Sequence, residues 1–122
     1  HTDILFLNEP EAKLLSWQSD VRAACERLGR FCPQVVVKLG GSGAIAYRNG
    51  EFVAADGFRV DAVDTTGAGD SFAAGFVHGF LDGCGTEECL ILGNACGAMS
   101  ATRPGGTGGQ PSLTELNEFL NR

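Results

Sequence analysis

At 122 residues and 43% hydrophobic composition, the chain has the length of one ordinary domain and enough apolar material to bury a core. Nine Lys and Arg against fifteen Asp and Glu leave a net charge of −6, with no basic cluster interleaved with aromatics, which argues against nucleic acid as a partner. No stretch approaches the roughly eighteen apolar residues of a membrane span, and residues 1–9 lack the pattern of a signal peptide, so a soluble, cytoplasmic protein with no membrane partner is expected.

In chain order, Ile4-Leu5-Phe6-Leu7 is a short apolar run closed by Asn8-Glu9-Pro10, which predicts a buried strand followed by a loop or helix start. A strand so close to His1 suggests that upstream sequence is missing. Ala12, Leu14, Leu15 and Trp17 predict a short helix with Pro10 in its first turn. Ser19 or Asp20 can cap the next helix, whose inner face is Val21, Ala24, Cys25 and Leu28 and which Gly29 ends. Val35-Val36-Val37-Lys38-Leu39 predicts a strand covered on both faces, because three β-branched residues follow one another. Gly40-Gly41-Ser42-Gly43 ends it. Residues 44–47 and 51–54 then flank Arg48-Asn49-Gly50, whose Asn-Gly step signals a local antiparallel hairpin.

A further strand over 59–63 leads into Asp64-Thr65-Thr66-Gly67-Ala68-Gly69-Asp70. Beyond it Phe72, Phe76 and Phe80 recur every four residues, so a helix turns an aromatic stripe to the core. Gly75 and Gly79 each weaken that helix by about 1 kcal/mol relative to alanine, which points to close packing against a neighbour. Residues 86–101 predict the next helix, capped by Thr86, with Cys89, Leu92, Cys96 and Met99 inward. Pro104 stops it, a glycine-rich loop follows, and Ser112 with Glu115 form the capping box of a last helix through Leu113, Leu116, Phe119 and Leu120. Alternating strands and helices predict an α/β fold with a mostly parallel sheet. The five cysteines are odd in number and contain no C-x-x-C pair, which reads as reduced thiols.

The chemistry gathers at Gly67-Ala68-Gly69-Asp70, a predicted strand–loop–helix junction. Glycines there allow several backbone N–H groups to converge, and the helix start adds partial positive charge, so the loop can cradle a phosphoryl oxygen or an anionic transition state. The second half of the chain carries only Arg103 and Arg122 as cations, so amides must do most of any anion binding there. Asp70 beside the cradle can take the proton of an attacking hydroxyl. The plainer alternative, in which Asp70 or Thr66 caps the helix and the glycines turn the chain, stays open on these residues alone. A P-loop lysine and spacing are missing, and the third glycine of a dinucleotide fingerprint is replaced by Phe72.

The run Asp64-Thr65-Thr66-Gly67-Ala68-Gly69-Asp70-Ser71-Phe72-Ala73-Ala74-Gly75-Phe76 resembles the C-terminal signature of the ribokinase-like (phosphofructokinase B type) carbohydrate kinases. The resemblance implies a three-layer α/β/α sandwich, here its C-terminal part with a mostly parallel sheet and the local hairpin. It also implies Asp70 as catalytic base and the amides of Gly67, Ala68 and Gly69 as an anion hole. Asn8-Glu9-Pro10-Glu11 resembles the family's N-x-x-E motif, which would place Asn8 and Glu11 near the nucleotide phosphates, with Glu11 reaching Mg2+ through water; the alternative is an Asn cap with a surface Glu. Val37-Lys38-Leu39-Gly40-Gly41-Ser42-Gly43-Ala44 resembles the strand and glycine turn bordering the ATP site, implicating Gly40 and Gly43. Lys38 stands where the family often has a small hydroxyl residue, and whether its ammonium meets phosphate or solvent is open.

By the same resemblance the adenine pocket lies between residues 105–109 and the preceding helix, with Gly105, Gly106 and Asn94 as contacts. Asp64 and Thr66 are candidates for a monovalent cation such as K+. The implied activity is transfer of a phosphoryl group from ATP, with Mg2+, to an alcohol of a small sugar-like substrate. A nucleoside or vitamin-precursor kinase of the same fold, and a non-catalytic nucleotide-binding module, are the alternatives. Residues 1–122 are expected to form the single ATP-side portion of a kinase domain whose N-terminal substrate and lid part is absent, and to be inactive alone. An exposed sheet edge would leave such a piece marginal or pair it with another copy as a homodimer.

Overall fold

Asn8 both closes strand β1 (Ile4–Asn8) and opens helix α1 (Glu9–Ser16) in the computed structural model, which describes residues 3–58, 67–102 and 120. Its side chain accepts from the Glu11 N–H at 2.8 Å while the Glu11 carboxylate accepts from the Asn8 N–H at 3.0 Å, a reciprocal capping box. Pro10 occupies the first turn, where a missing N–H costs no helical bond. Trp17 terminates α1 in the left-handed conformation and stands 88% exposed. Asp20, rather than Ser19, caps helix α2 (Val21–Leu28) by accepting from the Ala23 N–H at 3.0 Å.

The strands β2 (Gln34–Lys38), β3 (Ala44–Arg48) and β4 (Glu51–Ala55) join β1 in one sheet ordered β1-β2-β3-β4. The β1–β2 pairing is parallel, and the β2–β3 and β3–β4 pairings are antiparallel. A mostly parallel sheet was the expectation, and the described sheet corrects it to a mixed, mostly antiparallel one. Chain length supplies the reason. Helices α1 and α2 intervene between β1 and β2, whereas β2 reaches β3 through a single short 3-10 turn (Gly40–Ser42), far less than the dozen or so residues of a parallel crossover. Asn49 and Gly50, with φ of 53° and 82°, form the two-residue turn between β3 and β4. The strand predicted over 59–63 lies outside the described residues, as does the predicted last helix apart from Leu120.

Alternation along the strands sends side chains to two faces. Leu7, Val35, Val37 and Ile45 pack against Ala12, Ala24, Cys25 and Leu28 of α1 and α2. Val36, Ala44 and Ala46 pack on the other face against Phe72 and Phe76 of helix α3 (Ala68–Leu81) and Cys89 and Leu90 of helix α4 (Thr86–Ala101). The architecture is therefore three-layered, α/β/α. Phe6 meets Phe76 edge-on at 5.4 Å between ring centroids, a favoured aromatic geometry. Phe80, the third ring of the predicted stripe, is 42% exposed and is not part of the buried core.

Helices α3 and α4 approach closely because both faces carry glycine. A Cβ at Gly75 would come within 2.7 Å of Cys96 Sγ and the Leu92 carbonyl, and one at Gly93 within 2.9 Å of the Phe72 ring. The close packing expected of Gly75 and Gly79 is thus met from the other side by glycines of α4. The Thr86 cap is corrected: Gly85 holds the N-cap position, so Thr86 is already inside the helix and no side chain caps it.

Candidate functional site

Asn8 and Lys38 are register partners at the ends of the two parallel strands, and α/β sheets commonly present ligand sites at such carboxyl ends. A cleft of about 370 Å³ opens there. One wall is the glycine turn after β2, including Gly40 and Gly43, with Gly57 behind it. The facing wall is the first turn of α3 at Ala68 and Gly69, backed by Asn94 and Gly97 of α4.

The start of α3 differs from those of α1 and α2. Gly67 occupies the N-cap position with φ 84°, a left-handed conformation glycine adopts without a Cβ penalty, and no side chain among the described residues caps the helix. The first intrahelical bond runs from the Ser71 N–H to the Gly67 carbonyl at 3.0 Å. The N–H groups of Ala68, Gly69 and Asp70 therefore precede the helical ladder. The Lys38 ammonium lies against Gly69, in the space a Cβ at that residue would fill. Lys38 is half-buried and joins no carboxylate among the described residues. Helix start and ammonium thus place two sources of positive potential at one end of the cleft, an arrangement that favours an anion.

Asp70 follows Gly69 in the first turn of α3 with an exposed side chain, and it borders the cleft without lining it. Glu11 is exposed and also outside the lining, with one carboxylate oxygen engaged in the capping box. Asn8 lines the cleft while its side chain caps α1, so the cap and the site share this residue. Asn94 lines the cleft too, and its amide nitrogen donates to the Ala55 and Asp56 carbonyls at 3.3 and 3.1 Å. Asp64, Thr66, Gly105 and Gly106 lie outside the described residues.

Gly57, Gly97 and Ala98 line the cleft without having been singled out in the sequence. The available signal was smallness at four-residue spacing: Gly93 and Gly97 on α4 repeat the pattern of Gly75 and Gly79 on α3. All five cysteines are free thiols. Burial pushes the Cys25 thiol up to about 11, the nearby Arg22 offsetting only part of the effect, and burial raises Cys96 as well. Neither is primed as a nucleophile. His78 is exposed on α3, about two turns beyond Asp70. Among the described residues no helix is long and apolar enough to cross a membrane, and no three His, Cys, Asp or Glu side chains gather as a metal site.

Ribokinase from Haemophilus influenzae is 36% identical over 124 residues, an alignment covering 97% of this chain and 40% of that protein. The crystal structure of ribokinase from Thermotoga maritima matches with a TM-score of 0.90 at 36% identity, over 98% of this chain and 42% of that one. An E. coli crystal structure in complex with ATP and Mg2+ matches with a TM-score of 0.89 at 36% identity, over 99% of this chain and 40% of that one. The chain therefore spans about 40% of the length of these relatives. The likeness was expected to be to a C-terminal portion only, and this is corrected: the family model matches residues 1–113, and the ribokinase-like α/β/α fold runs through nearly the whole chain. By that match the chain belongs to the pfkB family of carbohydrate kinases.

Proposed function

We propose that the intact protein transfers the γ-phosphoryl group of ATP, as its magnesium complex, to an alcohol group of a small sugar-like substrate, with this chain forming the ATP side. The observation that carries the reading is the Lys38 ammonium lying against Gly69 at the uncapped start of α3. Phosphoryl transfer needs positioning and charge stabilisation more than covalent chemistry from the protein. The amides of Gly67, Ala68 and Gly69, with Lys38 beside them, would hold the oxygens of the migrating group. Asp70, one residue on, would orient the incoming hydroxyl and accept its proton.

The residues present fit both cofactors. The cleft volume suits a small-molecule ligand, and its glycine turn allows phosphate or ribose to approach the backbone. Magnesium retains most of its waters and is commonly held by phosphates and one or two carboxylates, which suits the exposed Glu11 at this end of the sheet. When bound, Mg2+ neutralises phosphate charge during transfer. Most of the related proteins are named for sugar or sugar-acid acceptors, which favours a sugar here.

The test is MgATP-dependent phosphorylation by the intact protein over a panel of sugars and nucleosides, comparing wild type with Asp70→Asn. Sugar turnover that falls by about 10²–10⁴-fold in the variant, with ATP-analogue affinity little changed, is the expected outcome. Near-normal turnover of Asp70→Asn would sink the assignment of the base, and turnover of nucleosides alone would replace the sugar.

A further inference from the structure

Asn94 belongs to the middle of α4, yet its side chain reaches residues 38 and 39 positions earlier in the chain. It is only 8% exposed, and its amide nitrogen donates to the Ala55 carbonyl at 3.3 Å and the Asp56 carbonyl at 3.1 Å. Because both partners are carbonyl oxygens, the NH2 end must face them. The side chain therefore ties the segment leaving β4 to α4.

That segment supports the cleft from behind. A Cβ at Gly43 would collide with the Ala55 carbonyl and with the backbone of Asp56 and Gly57, and a Cβ at Gly57 would meet the Gly41 carbonyl at 2.5 Å. The glycine turn after β2 thus rests directly on residues 55–57, backbone against backbone. One turn along α4, Gly97 lies so near α3 that a Cβ there would come within 3.2 Å of the Ala68 carbonyl. Helix α4 consequently touches both walls of the cleft: the first turn of α3 through Gly97, and the glycine turn through Asn94 and residues 55–57.

We infer that Asn94 is a positioning residue that sets the width of the cleft, holding the glycine turn at a fixed distance from the amide cradle at the start of α3. The proposal rests on the reading of the cleft as a nucleotide site. In that setting Asn94 acts on nucleotide affinity through the backbone it clamps. Reading of the base by its side chain is the competing role.

The experiment compares intact wild-type protein with Asn94→Asp, which keeps the shape and sets a carboxylate oxygen against the two carbonyls, and with Asn94→Ala, which removes the donors without adding charge. The second variant carries the test if the first does not fold. KM for MgATP is expected to rise about tenfold or more with kcat lowered less than about threefold, and KM for MgGTP to rise by the same factor. Hydrogen exchange without nucleotide is expected to quicken at Gly41, Gly43 and Gly57 while the amides of α4 keep their protection. A KM change confined to ATP, or unchanged exchange at the three glycines, would overturn the inference. If wild type shows no saturable dependence on MgATP, the nucleotide reading fails, whereas the exchange data still decide whether Asn94 clamps the turn.

Discussion

The two faces of the sheet carry helices that begin in opposite ways. On one face α1 and α2 start under side-chain caps, from Asn8 with Glu11 and from Asp20, so their leading N–H groups find partners within the fold. On the other face α3 starts at Gly67 with no side-chain cap among the described residues, and the Lys38 ammonium lies against its first turn at Gly69. Capping finishes a structural helix, whereas leaving the cap off makes a helix start available to a ligand. A glycine start is not sufficient by itself, because α4 also begins at an uncapped glycine, Gly85, beside which no described residue sets an ammonium.

The contrast can be broken at its strongest point by removing the ammonium. In Lys38→Met of the intact protein, kcat/KM for ATP is expected to fall about 10–100-fold, the range for losing a charge-assisted hydrogen bond, while urea stability changes little. Unchanged kinetics would mean that the ammonium serves only to cover Gly69. The seam between α3 and α4 offers a second test, because a methyl group there has nowhere to go. Gly75→Ala should lower unfolding free energy by about 1–3 kcal/mol in denaturant melts, despite alanine's better helix propensity. A stabilised variant would show that the helices can move apart. The smallest effect is expected on the capped face. Asp20→Ala should cost about 1 kcal/mol of stability and leave ATP kinetics alone.

Local signals were legible in the sequence where one residue type decides the geometry. Asn49-Gly50 marked the hairpin turn, Asp20 was a candidate cap, and paired glycines at 75 and 79 announced a tight helix contact. The direction of the sheet was not read, because alternating strands and helices suggest parallel pairing by default. The short step from Lys38 to Ala44 was the countersignal. Thr86 looked like a cap because its type suits that role, yet the helix begins beyond Gly85, and the extra position depends on packing that no local pattern encodes.

The same division holds at the cleft. The glycines and Asp70 at the start of α3 stood out as a local motif, and the structure sets Gly69 beside Lys38, 31 residues earlier, which only the folded chain brings together. The contacts of Asn94 were hidden for a similar reason, since its partners lie at the end of β4, 38 and 39 residues earlier in the chain. Asn8 was read as either a cap or a phosphate neighbour. It is a cap, and it also lines the cleft.

A crystal structure of the intact protein with ADP, Mg2+ and aluminium fluoride, a mimic of the migrating phosphoryl group, bears most directly on the α3 start. The fluoride ligands are expected about 3 Å from the N–H groups of Gly67, Ala68 and Gly69, with the Lys38 ammonium in contact and the Asp70 carboxylate facing the acceptor side. A mimic bound elsewhere, with those N–H groups turned away from it, would contradict the role assigned to the uncapped helix.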